Sequence, residues 1–449
     1  MGVFKTYDIR GLYGREIDAN LAYRIGRACA RFMAGRTYMV GCDARLHSQE
    51  LYQALARGLV DEGARVLGIG RVTTPQLHFY QIREGCDGGV MVTASHNPPD
   101  YHGFKLFHGK GGSIGYSNGL DRIERMVVAL KDEPPRGGGS FSEEERIDEY
   151  LEFAAGPLKG EKLSLKVVID PGNGSAGKVF RRLAERVGLE VEIINEEPDG
   201  NFPNRDPNPL KAESKKPASR KVLETGADLG ALLDGDGDRM LFVDERGEGI
   251  ENYFLSALIA EELLASQPGA AVVYDLISSR ALPERIRELG GKPVVSRVGY
   301  TFLYDTMVTS RAVFGSETSG HAYFKVTETF FTESAAYALM ILLRLLQRRG
   351  KRLSELVAPL KDRYAQSEEI NIEVADKEGV LAGVERAFTT ARISKLDGIS
   401  VELPEFWFNI RPSNTEPLLR FRLEAVSREV AEAKSREIKA LIQSLGRRA

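Results

Sequence analysis

Residues 38–68 run YMVGCDARLHSQELYQALARGLVDEGARVLG, and the fold class follows from how this stretch is divided. A short apolar run at 38–41 is followed by an amphipathic segment at 48–62 and a second run at 65–68. Strand, helix and strand in that order predict a βαβ unit. A further helix is expected over 75–84. The rhythm recurs after a charged, glycine-rich interval at 131–145, where 166–170 reads as a buried strand and 177–187 as its helix. A third α/β unit starts near Glu251, with a helix to Ala265, a strand at 271–275 and a long helix at 333–349 that Gly350 stops. From Glu368 onward, short alternating strands (370–374, 399–403, 406–410, 418–425) outnumber helices. That predicts a small α+β domain ending in a helix capped by Ser427.

At 449 residues the chain is too long for one hydrophobic core, so three or four domains of about 100–150 residues are expected. Its 64 acidic and 61 basic residues nearly balance, which argues against nucleic acid or an anionic membrane as the partner. Cys29, Cys42 and Cys86 are widely spaced and odd in number. They indicate neither a disulfide scaffold nor a zinc knuckle, and a reducing cytoplasm fits. The start MGVFKTYDIRG lacks the apolar core of a secretory signal, and its Gly2 and Thr6 match a myristoylation pattern that nothing else supports. The most apolar stretch, 335–346, is too short to span a bilayer and is broken by Arg344, so it reads as a buried helix.

Two segments point to phosphate and metal chemistry. Thr93-Ala94-Ser95-His96-Asn97-Pro98 follows the apolar run 88–92. A serine at a strand's end in a polar turn can carry a phosphoryl group, although an ordinary Asx turn explains the hexapeptide equally well. Asp234-Gly235-Asp236-Gly237-Asp238-Arg239 lies between the apolar runs 229–233 and 240–243. Three carboxylates at alternate positions can converge on one hard cation while the glycines let the backbone wrap it. With Glu245 at the twelfth place the segment nearly matches a calcium EF-hand, but Arg239 occupies the sixth place, where glycine is needed, and the flanks read as strands. A cation beside an arginine instead suits Mg²⁺ and phosphate.

Three further loops are candidates. Gly172 to Lys178 (GNGSAGK) has the spacing of a nucleotide P-loop, but Val179 replaces the Mg²⁺-binding hydroxyl. A nucleotide-dependent sugar kinase therefore stays open as a rival. Gly315-Ser316-Glu317-Thr318-Ser319-Gly320-His321 offers the carboxylate and hydroxyls that sugar hydroxyls ask for, or else is a solvated turn. Arg411-Pro412-Ser413-Asn414-Thr415-Glu416-Pro417 forms a plausible phosphate nest.

These segments, in this order and together with Tyr7-Asp8-Ile9-Arg10-Gly11, resemble the signatures of the α-D-phosphohexomutase superfamily over nearly the whole chain. The run FWFNIRPSNTEPLLRFRLEA is similar to the phosphomannomutase/phosphoglucomutase branch, and YDIRG and Asn414 set the chain apart from glucosamine mutases. The resemblance implies an α/β chain of four domains around a central cleft, three of mixed αβα type and a fourth, α+β, resembling a TATA-binding protein. The expected bounds are 1–145, 146–248, 249–360 and 361–449. It implies interconversion of hexose 1-phosphate and hexose 6-phosphate, mannose and glucose alike, with phosphoglucosamine mutase as the alternative. Ser95 would be the phosphoserine and, with Asp234, Asp236 and Asp238, would complete an Mg²⁺ shell. Arg239, Lys105 and His96 would serve catalysis, Lys105 as general acid or base. Glu317, Ser319 and His321 would meet the sugar, and Tyr7 and Arg10 would close the first domain's side. Arg411, Ser413, Asn414, Thr415 and Arg420 would grip the phosphate that is not reacting. The partners implied are sugar phosphates, with a hexose 1,6-bisphosphate as intermediate and activator, and the chain is expected to be a monomer or homodimer. Three positions depart from the pattern: His102 before Gly103-Phe104-Lys105, His47 after Arg45, and the pair Glu333-Ser334.

Overall fold

A computed structural model describes residues 2–109, 111–130, 133–413 and 418–446. The opening stretch forms the expected unit: strand Thr37–Cys42, helix Ser48–Asp61 and strand Arg65–Arg71, the two strands parallel and in register from Thr37 opposite Arg65. Helix Thr74–Arg83 follows, started by a Thr73/Gln76 capping box and Pro75. Six strands make the first sheet, in the order Ile9–Leu12, Tyr101–His108, Gly88–Val92, Thr37–Cys42, Arg65–Arg71 and Ser140–Glu143. Ser140–Glu143 falls in the charged, glycine-rich interval, where no strand was expected. It pairs in parallel with Arg65–Gly68, but its four residues are exposed and so carry no apolar alternation.

The second sheet orders Gly249–Ile250, Met240–Asp244, Leu229–Leu233, Lys166–Asp170 and Glu190–Ile193. The third orders Lys292–Ser296, Ala271–Asp275, Phe314–Ser316, Ala322–Lys325 and Phe331–Glu333. Both mix parallel and antiparallel pairs. The fourth is antiparallel. It runs Ala365–Gln366, Leu418–Ala425, Phe406–Pro412, Ile399–Glu402 and Arg392–Ser394, with Ile370–Glu373 also paired to Leu418–Ala425. Ser427 Oγ accepts from Val430 N–H at 3.3 Å and starts the last helix, Arg428–Gly446, as expected.

The long apolar helix runs over Ala335–Arg349 rather than from residue 333. Glu333 ends a strand, and Ser334 caps the helix by accepting from Tyr337 N–H at 3.1 Å. Its apolar face joins one core with Phe79, Tyr150, Phe180 and Leu255, which come from elements around the first three sheets. The fourth sheet has a core of its own, built on Val384, Phe408, Phe421 and Ile438. Among the described residues, no helix is long and apolar enough to cross a membrane. Cys29, Cys42 and Cys86 are all buried and free.

Candidate active site

Ser95 lies three residues beyond strand Gly88–Val92 with a φ of 51°, in the left-handed region. A non-glycine residue held there costs about 1–3 kcal/mol and persists only where its surroundings over-determine it. They do so here. Ser95 N–H donates to Thr93 Oγ1 at 2.8 Å, and Thr93 Oγ1 donates to Asp43 Oδ2 at 2.7 Å. The Arg45 guanidinium, fully buried, donates to the carbonyls of Ser95 (2.9 Å), Asn97 (2.6 Å), Pro98 (2.6 Å) and Tyr101 (3.0 Å). Arg10 donates to Asn97 Oδ1 at 2.6 Å while paired to Asp8. Five charged or hydroxyl side chains thus fix one turn and the direction of its hydroxyl.

That hydroxyl points at the aspartate loop. Ser95 Oγ donates to Asp234 Oδ2 at 2.9 Å and lies 3.2 Å from His96 Nδ1. The loop joins the antiparallel strands Leu229–Leu233 and Met240–Asp244, with Gly237 at a φ of 69° making the turn. Gly235 is required for another reason: a Cβ there would lie 2.7 Å from the Ser95 carbonyl oxygen. The two loops meet backbone to backbone, so a side chain at 235 would separate them.

Ligand oxygens of Asp234, Asp236 and Asp238 all fall within 4.8 Å of one another. Burial and the neighbouring charges of Asp238 and Asp236 push the Asp234 carboxyl well above its usual range. Lys105, from strand Tyr101–His108, inserts its Nζ between Asp236 Oδ2 (2.7 Å) and Asp238 Oδ2. Burial disfavours its charge, but the two aspartates outweigh that and hold its pKa well above the usual lysine value. Asp236 Oδ1 and Asp238 Oδ1 remain sealed from solvent without a hydrogen-bond partner. Two orphaned anionic oxygens beside a third carboxylate and a hydroxyl form a hard-oxygen donor set that fits Mg²⁺. No EF-hand is present: the flanks are strands, and Glu245 turns away to accept from Ser354 Oγ at 2.5 Å.

Arg239 Nε donates to His321 Nε2 at 3.1 Å and lies 3.9 Å from Asp234 Oδ2, tying the aspartate loop to the Glu317–His321 loop. In that loop Glu317 is buried, accepts from Gly299 N–H at 2.7 Å, and faces Ser319 Oγ at 3.3 Å. Burial raises its pKa. Tyr7 O–H donates to the Val298 carbonyl at 3.1 Å, next to Gly299. Burial first, then Glu317 and Asp397, push the Tyr7 phenol up to about 12.

Ser95, His96, Lys105, Asp234, Asp236, Asp238, Arg239 and His321 therefore form one cluster, with Tyr7, Glu317 and Ser319 along one side. Arg10 braces the Ser95 turn through Asn97. Arg411 and Arg420 converge on Glu369, at 2.6 and 3.6 Å, and the Ser413 carbonyl accepts from Lys377 Nζ at 2.8 Å. The expected roles of Asn414 and Thr415 fall outside the described residues. The P-loop-like segment is occupied by the protein itself. The Arg205 guanidinium fills the space at Gly172, Ser175 N–H donates to the Gly235 carbonyl at 3.0 Å, and Lys178 pairs with Glu145. It buttresses the aspartate loop.

Sequence reading missed the supports. Asp43 and Arg45 follow a strand, and Thr74, whose Oγ1 donates to Asp236 Oδ2 at 2.6 Å, opens a helix. The available signal was a charged pair directly after the apolar run 38–41.

The chain belongs to the phosphoglucomutase/phosphomannomutase family: its α/β/α domains I, II and III match residues 1–133, 148–247 and 252–364, and its C-terminal domain matches 369–440. A phosphomannomutase of Methanocaldococcus jannaschii is 38% identical over 99% of this chain and 98% of its own length. A phosphomannomutase of Escherichia coli K12 is 37% identical over 94% of each chain. The crystal structure of a phosphoglucomutase/phosphomannomutase family protein from Burkholderia thailandensis superposes with a TM-score of 0.89 at 32% identity, covering 99% of this chain and 97% of that one.

Proposed function

We propose that this chain is a phosphohexomutase that interconverts the 1- and 6-phosphates of mannose and glucose through a phosphorylated Ser95. The observation that carries this reading is the hydroxyl of a strained, over-determined serine, 2.9 Å from an oxygen of a buried aspartate triad. In this reading four units, 1–145, 146–248, 249–360 and 361–449, each contribute one loop to the cleft.

Phosphoryl transfer depends mainly on positioning and charge neutralisation. Asp234, Asp236, Asp238 and Ser95 would hold Mg²⁺, which when bound supplies positive charge against the phosphoryl oxygens. Phosphorylated Ser95 gives its group to the free hydroxyl of a hexose phosphate. A new O–P bond forms as the Ser95 Oγ–P bond breaks; the sugar hydroxyl loses a proton, and Ser95 Oγ ends with one when the leaving oxygen is protonated. Lys105 and His96 are the candidate proton carriers, and Arg239 offers positive charge beside Asp234. The product is a hexose 1,6-bisphosphate. The sugar then turns end for end, its other phosphate returns the group to Ser95, and the isomer leaves. Glu317 and Ser319 would hold sugar hydroxyls. Arg411, Ser413, Asn414, Thr415 and Arg420 would grip whichever phosphate is distal, a role that Arg411 and Arg420 reach by exchanging Glu369 for phosphate.

The buried free cysteines suit a reducing cytoplasm. A coupled assay with the 1-phosphates of mannose, glucose and glucosamine, supplied with Mg²⁺ and a bisphosphate activator, tests the reading. Turnover of mannose and glucose 1-phosphates is expected; turnover of glucosamine 1-phosphate alone would assign the chain to the other branch.

A further inference from the structure

Behind the aspartate triad lies a second buried polar group with no role in the chemistry described so far. Glu333, 2% exposed, ends strand Phe331–Glu333 directly opposite Tyr323 in the antiparallel register. Its Oε2 and His321 Nδ1 are both sealed from solvent, find no other partner, and face each other at 3.4 Å. Asp238 Oδ1, also unpartnered, lies 3.9 Å from the same nitrogen.

An imidazole nitrogen between two carboxylates reads either as a metal ligand or as a hydrogen-bond donor, and the other ring nitrogen decides. Arg239 Nε–H points at His321 Nε2 at 3.1 Å. A guanidinium nitrogen only donates, so Nε2 must present its lone pair. The imidazole proton then sits on Nδ1, which rules out a cation on that nitrogen and leaves a donor 3.4 Å from the Glu333 carboxylate. A carboxylate behind an imidazole is the common means of fixing a histidine tautomer.

We propose that Glu333 is a positioning residue: its carboxylate holds His321 in the Nδ1–H tautomer, and His321 Nε2 in turn fixes the Arg239 guanidinium beside the aspartate that accepts from Ser95. The line Glu333, His321, Arg239, Asp234, Ser95 connects the third sheet to the second and then to the first. It rests on the mutase reading only for what Arg239 does; the tautomer follows from the Arg239 hydrogen bond alone. The strand end also explains why a charged residue precedes the Ser334 helix cap at the heart of the molecule.

The test uses the full-length protein labelled with ¹⁵N-histidine. Long-range ¹H–¹⁵N spectra, with the His321 signals assigned by their loss in His321→Asn, are expected to show a protonated Nδ1 and an unprotonated Nε2. In Glu333→Gln the tautomer preference should weaken, and kcat should fall about 100-fold, the scale of a 1 Å misplacement, with KM for the sugar phosphate within about twofold. Glu333→Asp keeps the charge and should recover both the tautomer and at least about tenfold of the lost kcat. A protonated Nε2 in the unmutated protein overturns the proposal, and so does an unchanged kcat and tautomer in Glu333→Gln. Should Glu333→Gln fold poorly, the spectrum of the unmutated protein still decides. A chain without mutase turnover but with the Nδ1–H signature would sink the mutase reading and leave the Glu333–His321 assignment standing.

Discussion

Ser95 carries the most weight at the residue scale because its conformation is unfavourable by itself and is held by Thr93, Asp43, Arg45 and Arg10. Ser95→Ala keeps the turn and removes the hydroxyl that donates to Asp234, so mutase turnover should be lost while the unfolding midpoint moves little. Full activity in that variant would falsify the phosphoserine role. Asp236 is next: Thr74 and Lys105 take its Oδ2, and its Oδ1 is the unpartnered oxygen a cation would meet. Asp236→Asn should raise the Mg²⁺ concentration needed for half-maximal rate at least about tenfold, the cost of one charge-assisted contact. Activity that persists unchanged in a chelator would end the metal assignment. Glu245, which looked like a twelfth-position calcium ligand, illustrates the opposite case, since a suitable residue type at a suitable spacing points elsewhere once the flanks become strands.

Elements decide how closely the loops approach. Gly235 has an ordinary φ and is there for space: the Ser95 carbonyl stands where its Cβ would be, at 2.7 Å. Gly235→Ala should therefore cost about 1–3 kcal/mol of stability. It should also lower kcat by about 100-fold, since the serine and the triad are pushed apart. A variant with both values unchanged would show that the loops can slide. In helix Ala335–Arg349, Leu339 is fully buried within the shared core, and Leu339→Ala should cost about 2–5 kcal/mol by denaturant unfolding. This scale also marks the limit of what the sequence disclosed. Strands Gly88–Val92 and Leu229–Leu233 were legible because they are buried along their length and read as unbroken apolar runs, and Lys166–Asp170 because three buried apolar residues fill its centre. The aspartate loop was legible because its spacing is itself the chemistry. Ser140–Glu143 was not, because an exposed edge strand has no apolar signal to give. Nor were Arg45 and Thr74: what they do depends on carbonyls and carboxylates that lie 50 and 162 residues away along the chain. Local pattern carries no information about such partners.

Across the whole molecule, one core ties the first three sheets together while the fourth packs on a separate one. What links that last unit to the rest is mostly polar. Tyr253 O–H donates to Gln366 at 2.6 Å, Arg280 N–H donates to Glu424 at 2.9 Å, and Val298 N–H reaches Asp397 at 3.3 Å. Contacts of this kind exchange more easily than a shared apolar core, so the fourth unit is the part expected to move. Small-angle scattering should show a smaller radius of gyration with glucose 1,6-bisphosphate and Mg²⁺ than without. Identical curves would count against closure by the fourth unit. Trp407, the chain's one tryptophan, donates at 2.8 Å to the same Glu424 carboxylate that Arg280 meets, and its fluorescence should change on the same titration.

The most direct measurement is to incubate the purified protein with glucose 1,6-bisphosphate labelled in its phosphates, isolate the protein, and map the label by peptide mass spectrometry. The account predicts one phosphoryl group, on Ser95, that chases quantitatively onto added mannose 1-phosphate or glucose 1-phosphate. Label on any other residue, or a phosphorylated Ser95 that fails to give up its group to sugar phosphate, would contradict it.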